Sequence, residues 1–198
     1  MVAAPVERRA AFLDRDGVIN LDHGYVYRPE DFDFVPGTLE AARELARQGY
    51  ALVVITNQSG IGRGLYTEAD FAVVTQWMKQ KFAEAGAPLA GVYFCPHHPT
   101  DAVGEYRRDC DCRKPAPGMI LRAARELGLD LARSVLFGDR RSDLVAAQAA
   151  GVPRRFLLAT DGVGMPSDKE DGGLATARFG SLLDAVRALV TEPRAIDG

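Results

Sequence analysis

The sequence predicts an α/β fold, a three-layer Rossmann-like arrangement in which a parallel sheet is covered by helices on both faces. Two observations predict it. Short, wholly apolar runs end on polar residues, and longer amphipathic stretches separate them, so strand and helix alternate along the chain. A strand buried on both faces has no polar side to alternate with, which is why such runs read as parallel strands. With 198 residues the chain can bury one core plus a small elaboration, and is too short for two full domains. Residues 1–198 are therefore read as one domain.

Ala10 to Leu13 is the first strand, ending at Asp14. Thr38 to Gln48 has helical spacing at Leu39, Ala42, Leu45 and Ala46, and Gly49 stops it. Ala51 to Ile55 is the second strand, with Thr56 and Asn57 at its C-terminal end. Thr67-Glu68-Ala69-Asp70 has the form of a capping box and starts a long helix to about Ala85. Gly91 to Phe94 is the third strand. Pro117 sits in the first turn of a helix that reaches Leu127 and ends at Gly128. Val135 to Phe137 is the fourth strand, followed by Gly138 and Asp139. Ser142 to Ala150 is a helix closed by Gly151, Arg155 to Ala159 a fifth strand, and Ser181 to Val190 the last helix. Thr160 to Ala175, rich in Gly, Asp and Ser, reads as an exposed loop, and the final residues are expected to fray.

A formal net charge of -3 provides no broad basic surface, so nucleic acid is not an expected partner. No run approaches the roughly 18 apolar residues of a membrane span. Met1 to Arg9 lacks the apolar core of a secretory signal, so the expected location is the cytoplasm. The three cysteines are odd in number and fall between Cys95 and Cys112, which argues against a disulfide framework.

The most informative segment is Phe12-Leu13-Asp14-Arg15-Asp16-Gly17-Val18. In extended chain, residues two apart face the same way, so Asp14 and Asp16 should project together while Arg15 points away. Gly17 permits a sharp exit from the strand. By itself this is equally a turn, because Asp and Gly are favoured there for local reasons. Active residues in such a sheet gather at the C-terminal ends of strands, and those ends carry Asp14, Thr56 and Asp139. Asp139 alone reads as a helix N-cap and Lys114 alone as a solvated charge; together with Asp14 they read as a site. Carboxylates gathered at one rim repel unless a hard cation joins them, and oxygen ligands suit Mg2+.

These four elements, Asp14-Arg15-Asp16-Gly17, Thr56-Asn57, Lys114, and Gly138-Asp139 with Asp143, resemble in order the signature of the haloacid dehalogenase superfamily of phosphatases. The resemblance implies a fold of that type and an aspartyl-phosphate mechanism. Asp14 would attack phosphorus in line. Asp16 would donate a proton to the leaving alkoxide and then take one from the hydrolytic water. Mg2+ would be held by Asp14, by Asp16 through its backbone carbonyl, and by Asp139, with Asp143 supporting from behind. Thr56 and Lys114 would hold the phosphoryl oxygens.

Cys95-Pro96-His97 is followed by Cys110-Asp111-Cys112, in a Pro- and Arg-rich stretch without an obvious strand or helix. Buried cysteines would be out of place there. Three thiolates and one imidazole make a closed tetrahedral set suited to structural zinc. Spacing leaves His97 and His98 open; the mirrored C-x-H and C-x-C pairs favour His97. The expected task of the loop 95–112 is to present Arg113 and Lys114.

The zinc loop resembles the histidinol-phosphatase-like branch of the superfamily. Asp22-His23-Gly24-Tyr25-Val26, Thr56-Asn57-Gln58-Ser59-Gly60, Cys95-Pro96-His97-His98-Pro99 and Cys110-Asp111-Cys112-Arg113-Lys114-Pro115 resemble its heptose bisphosphate phosphatases. This implies removal of the 7-phosphate from a heptose 1,7-bisphosphate, in the route to nucleotide-activated heptose for surface glycans such as lipopolysaccharide. By the same likeness, Asp22, His23, Gly24, Tyr25, Thr56, Asn57, Gln58 and Ser59 line the substrate site, Arg113 recognises substrate, and Lys114 stabilises the phosphoryl group. Val18 and Arg140 depart from the threonine and lysine frequent at those places.

Gly60-Ile61-Gly62-Arg63-Gly64 has the wrong spacing for a dinucleotide loop and reads as a flexible substrate-side loop, with Arg63 a solvated arginine or a substrate contact. No insertion between Asp14 and Lys114 is large enough for a lid domain, so the cap is minimal: the Asp16 to Arg28 flap and the zinc loop. Two other readings stand beside this one, a histidinol-phosphate phosphatase and a non-catalytic zinc-stabilised binding module. A monomer is the default, because one chain completes the site.

Overall fold

The computed structural model describes residues 8–159 and 171–191. Most of the loop expected from Thr160, the N-terminal seven residues and the end expected to fray lie outside that range.

Six strands form one parallel sheet in the order β3-β2-β1-β4-β5-β6: β1 Arg8–Leu13, β2 Ala51–Asn57, β3 Leu89–Cys95, β4 Leu129–Gly138, β5 Arg154–Leu158 and β6 Ala177–Phe179. β1 is central, with Leu13 level with Val54 of β2 and with Phe137 of β4. Its side chains explain the unbroken apolar run. Ala11 and Leu13 enter one core, Ala10 and Phe12 the other, and all four are fully buried. The first core is closed by α1 (Thr38–Arg47), α3 (Glu68–Glu84) and α6 (Leu182–Thr191), through residues such as Leu45, Phe82 and Val186. The second is closed by α4 (Gly118–Leu127) and α5 (Arg141–Ala149), through Ile120, Ala123 and Leu144. Helices therefore cover both faces, and burial of each amphipathic stripe, more than helix propensity, holds it in place.

Three elements differ from expectation. β4 begins at Leu129, six residues before Val135, because Asp130 and Arg133 break the apolar run where the strand bulges between its pairings with Arg9 and Ala11. Ser134 bridges that irregularity, its hydroxyl accepting from the N–H of Ala10 at 2.8 Å. β6 is only three residues long and carries too little pattern to be read. Ser59–Gly62 is a short helix, α2, with Gly60, Ile61 and Gly62 buried, not a flexible loop. A Cβ on Gly60 would collide with the Tyr66 ring and lie 2.8 Å from that of Tyr25, so the glycine allows packing rather than motion.

The strand order reverses between β1 and β4, and a crevice opens beyond their C-terminal ends. Asp14 and Asp139 stand there, next to Leu13 and Gly138.

Candidate active site and cysteine cluster

Each strand end delivers one part. Asp14 follows β1, Thr56 is the penultimate residue of β2, Asp139 follows β4 and Asp143 sits in the first turn of α5. Carboxylate oxygens of Asp14, Asp139 and Asp143 lie within 4.8 Å of one another. Gly138 lets α5 come this close, since a Cβ there would stand 2.8 Å from the Asp143 carboxylate. The Lys114 ammonium is buried among them, 2.8 Å from Asp14 Oδ1 and 2.6 Å from Asp143 Oδ1, and donates to the Ile55 carbonyl at 3.0 Å.

Three carboxylates and one ammonium leave a local excess of negative charge in a buried place. Burial pushes the Asp139 carboxyl up to about 7, reinforced by Asp143 and opposed by Arg140 and Lys114. Burial also lifts Asp14, while Lys114 pulls it down. Burial works against the charge on Lys114, but Asp14 and Asp143 outweigh it and hold the lysine well above its ordinary range. With two carboxylates on one ammonium, the lysine is the member whose charge is secure. Asp139 Oδ1 is buried without a hydrogen-bond partner among the described residues. An unmatched carboxylate oxygen beside two more carboxylates fits a divalent, oxygen-seeking cation such as Mg2+.

Asp16 is arranged differently. Its Oδ1 accepts from Arg15 Nε at 3.1 Å, Arg15 Nη2 at 2.8 Å and Asn20 Nδ2 at 3.1 Å. Its Oδ2 accepts from Gln58 Nε2 at 3.0 Å. Arg15 thus does not point away, as simple alternation implies. The chain leaves the strand at Asp14, and Arg15 turns back under the flap, 1% exposed, between the rings of Phe32 and Phe71. It also donates to the Val26 carbonyl at 2.7 Å, tying both ends of the flap to one buried charge. Gln58 Nε2 donates as well to Thr56 Oγ1 at 2.8 Å, and Gln58 Oε1 accepts from the Tyr66 hydroxyl at 2.5 Å.

These groups floor a cleft of about 470 Å³, a size suited to a phosphorylated sugar. Asp22, Gly24, Tyr25, Asn57, Gln58, Ser59 and Arg113 contribute to its walls, as expected of them. Tyr25 has φ 53°, a left-handed conformation that costs a non-glycine residue about 1 kcal/mol, at the mouth of the cleft. Arg140 reaches across to Asp22 at 2.8 Å, joining the β4 loop to the flap. His23 is not among the residues lining the cleft; its half-exposed ring pairs with Asp33 at 3.0 Å. Arg63 does line it, with its guanidinium 2.8 Å from Asp101. A larger hollow of about 1080 Å³ lies against β3 and the cysteine loop; none of the Asp14, Asp16, Thr56 or Lys114 groups borders it.

Cys95 closes β3, so the cluster begins on the sheet and not in an irregular segment. The Sγ atoms of Cys95, Cys110 and Cys112 lie 3.2 to 3.5 Å apart, and His97 Nδ1 lies 3.3 Å from Cys112 and 3.7 Å from Cys95. Tetrahedral Zn–S bonds of about 2.3 Å span comparable S···S separations, near 3.7 Å, and the donor types suit zinc. His98 stands apart, its Nδ1 accepting from the N–H of Asp101 at 3.1 Å. Burial, aided by the neighbouring thiol of Cys112, drives the Cys95 thiol well above its ordinary range.

The HAD-hydrolase-like family model matches residues 111–185. The D-glycero-beta-D-manno-heptose-1,7-bisphosphate 7-phosphatase of Vibrio cholerae is 48% identical over 181 residues, covering 91% of this chain and 96% of the relative. The enzyme of that name from Escherichia coli K12 is also 48% identical, covering 91% of this chain and 93% of its own. The chain belongs to this heptose bisphosphate phosphatase family. A crystal structure of D,D-heptose 1,7-bisphosphate phosphatase from B. bronchiseptica, complexed with magnesium and phosphate, superposes with a TM-score of 0.77 at 32% identity, covering 93% of this chain and 99% of that one. Set in this family, the chain brings together Asp14, Asp16, Thr56 and Lys114 around one cleft, with Asp143 against Lys114 and Asp139 beside the Asp14 and Asp143 carboxylates. Sequence reasoning missed Arg15 and Tyr66. Neither has a local signal, since a buried arginine looks like any surface arginine until its partners are placed.

Proposed function

We propose that the chain hydrolyses the 7-phosphate of D-glycero-β-D-manno-heptose 1,7-bisphosphate through an aspartyl-phosphate on Asp14. The single observation that carries this is the buried convergence of Asp14, Asp143 and Lys114 at the floor of a polar cleft, with Asp139 beside them. The β configuration is taken from the names of the relatives.

Asp14 and Asp139, with the backbone carbonyl of Asp16, would hold Mg2+. Bound there, the ion supplies positive charge that lets an ionised aspartate approach an anionic phosphate and polarises the phosphoryl oxygens. Two unit charges at about 4 Å repel by about 1 kcal/mol in water and several-fold more near protein, so screening is required. Lys114 adds a fixed cation and Thr56 a hydroxyl for the phosphoryl oxygens. Asp14 attacks phosphorus as the sugar oxygen leaves with a proton from Asp16. Asp16 then draws a proton from water, which attacks phosphorus and frees Asp14. Arg15, Asn20 and Gln58 hold the Asp16 carboxyl in place through both steps. Asp22, Gly24, Tyr25, Gln58, Ser59 and Arg113 would meet the sugar and the distal phosphate.

Cys95, His97, Cys110 and Cys112 would bind zinc in a closed, non-catalytic set that fixes the loop before Arg113 and Lys114. Residues 1–198 would act as one domain and one chain, in the cytoplasm, where thiols stay reduced. Among the described residues no helix is long and apolar enough to cross a membrane.

Phosphate release from both anomers of the heptose bisphosphate and from histidinol phosphate, with and without Mg2+, tests the reading. The β anomer should give the highest specificity constant. A higher value for histidinol phosphate overturns the substrate assignment, and Mg2+-independent release overturns the mechanism.

A further inference from the structure

Lys114 must hold an ammonium in place against two carboxylates, yet its own backbone lies in an irregular segment between the cysteine loop and α4, outside any strand or helix. What fixes it is Asn57, the last residue of β2. The Asn57 amide donates through Nδ2 to the Lys114 carbonyl at 3.1 Å and accepts through Oδ1 from the Lys114 N–H at 3.1 Å. One side chain thereby satisfies both backbone groups of one residue, as a neighbouring strand would. Two residues earlier on the same strand, the Ile55 carbonyl accepts from Lys114 Nζ at 3.0 Å. The lysine is thus held to the end of β2 at both its backbone and its tip. Its three N–H bonds face Ile55, Asp14 and Asp143, which leaves no free rotation to correct a misplaced backbone.

We infer that Asn57, which also lines the cleft, is a positioning residue for Lys114. The inference rests on the phosphatase reading, in which Lys114 meets the phosphoryl group. Only an amide of this length can do the task. Aspartate keeps the acceptor but turns a second acceptor toward the Lys114 carbonyl, and alanine leaves both backbone groups unmatched. Asn57 also pairs in register with Cys95 of β3, so the strand end beside the first cysteine holds the segment leaving the last one. Cys95 and Lys114, 19 positions apart by their numbers, are brought to one point of the sheet.

The test is a double-mutant cycle with Asn57→Ala, Lys114→Met and the pair, in the full chain with Mg2+ and zinc. Turnover is followed together with inorganic phosphate binding by calorimetry; circular dichroism and zinc content report folding. Asn57→Ala should lower kcat by roughly ten- to a hundredfold, the scale set by a small misplacement of a catalytic group, with KM within about threefold. Phosphate binding should weaken in step. In the Lys114→Met background, Asn57→Ala should weaken phosphate binding by no more than about twofold, because the group it positions is gone. A rise in KM at unchanged kcat, or an undiminished loss in the Lys114→Met background, overturns the inference. Should Asn57→Ala fail to fold, Asn57→Asp is carried through the same cycle and held to the same outcomes. A wild type that releases no phosphate sinks the phosphatase reading instead, an outcome separate from these.

Discussion

Two clusters in this molecule gather like groups within 4.8 Å, and they manage the charge in opposite ways. The cysteine cluster draws its four donors from the short window Cys95 to Cys112, and the Arg108 guanidinium beside it touches His97 at its outer nitrogen, Nε2, 2.7 Å away, and not at the Nδ1 that faces the thiols. Burial disfavours the thiolate at Cys95 and Cys112, which eases their close approach. The carboxylate cluster draws on β1, the segment after the cysteine loop, β4 and α5, and carries its own cation in Lys114. A thiol set that is neutral when empty becomes charged only when metal displaces protons, so zinc and local order come together. A carboxylate set that keeps a lysine at its centre stays assembled while its metal exchanges. The first design suits a fixture and the second a site that turns over.

Removing the nucleophile should have the largest effect. Asp14→Asn is expected to lower phosphate release by at least about a thousandfold, because no aspartyl-phosphate can form. Lys114 keeps its contact with Asp143, so the thermal midpoint should stay within a few degrees. Normal turnover in this variant would remove the assignment. The matching change at the other cluster, Cys112→Ser, should act on stability first. Zinc content should fall, the loop before Lys114 should loosen, and phosphate release should drop by roughly ten- to a hundredfold. If zinc is lost while stability and rate are unchanged, the cluster does not present Lys114 and the comparison fails.

Acidity should separate the clusters next. Asp139 holds its proton up to about pH 7 in the metal-free fold but releases it near its ordinary value of 3.8 when unfolded. Between those limits the folded state binds more protons, so metal-free stability should fall as pH rises. Magnesium needs the ionised form. The half-saturating Mg2+ concentration for turnover should therefore fall as pH rises toward about 7, by up to roughly tenfold per unit, and level off above it. A Mg2+ requirement that does not change across that range would separate Asp139 from the metal.

Much of this contrast was legible in the sequence. Asp14, Asp139 and Lys114 stand beside apolar strands or a cysteine motif, and their residue types are informative once taken together. The cysteine set was easier still, because its ligands are close in sequence. Less legible was everything set by three-dimensional contact. Arg15 was expected to point away and instead braces Asp16 from within the core. His23 belongs to the run 22–25 expected at the substrate site, and its pairing with Asp33 has no signal in that run. The glycines after Ser59 suggested motion, whereas the Tyr66 ring packed on Gly60 requires that they have no side chain. In each case the partner is near in sequence but reached only because the backbone turns back on itself, which periodicity does not encode.

Tyr66 supplies the smallest expected effect and the finest test of how the carboxylate site is held. Its ring stacks on Tyr27 at 4.9 Å, nearly parallel, so the hydroxyl has one place to go: Gln58 Oε1. That bond decides which way the Gln58 amide faces. With Oε1 engaged, Nε2 must face Asp16 and Thr56. In Tyr66→Phe the stack survives and the amide is free to turn over, presenting an acceptor to Asp16 about as readily as a donor. One neutral hydrogen bond is worth about 1 kcal/mol, so kcat should fall by roughly five- to tenfold with little change in KM. Gln58→Glu keeps an acceptor toward Tyr66 but places a second carboxylate against Asp16, and should lose more. If Tyr66→Phe matches the wild type while Gln58→Glu does not, the amide is oriented by Thr56 and Asp16 alone, and the aromatic stack serves only to pack the flap.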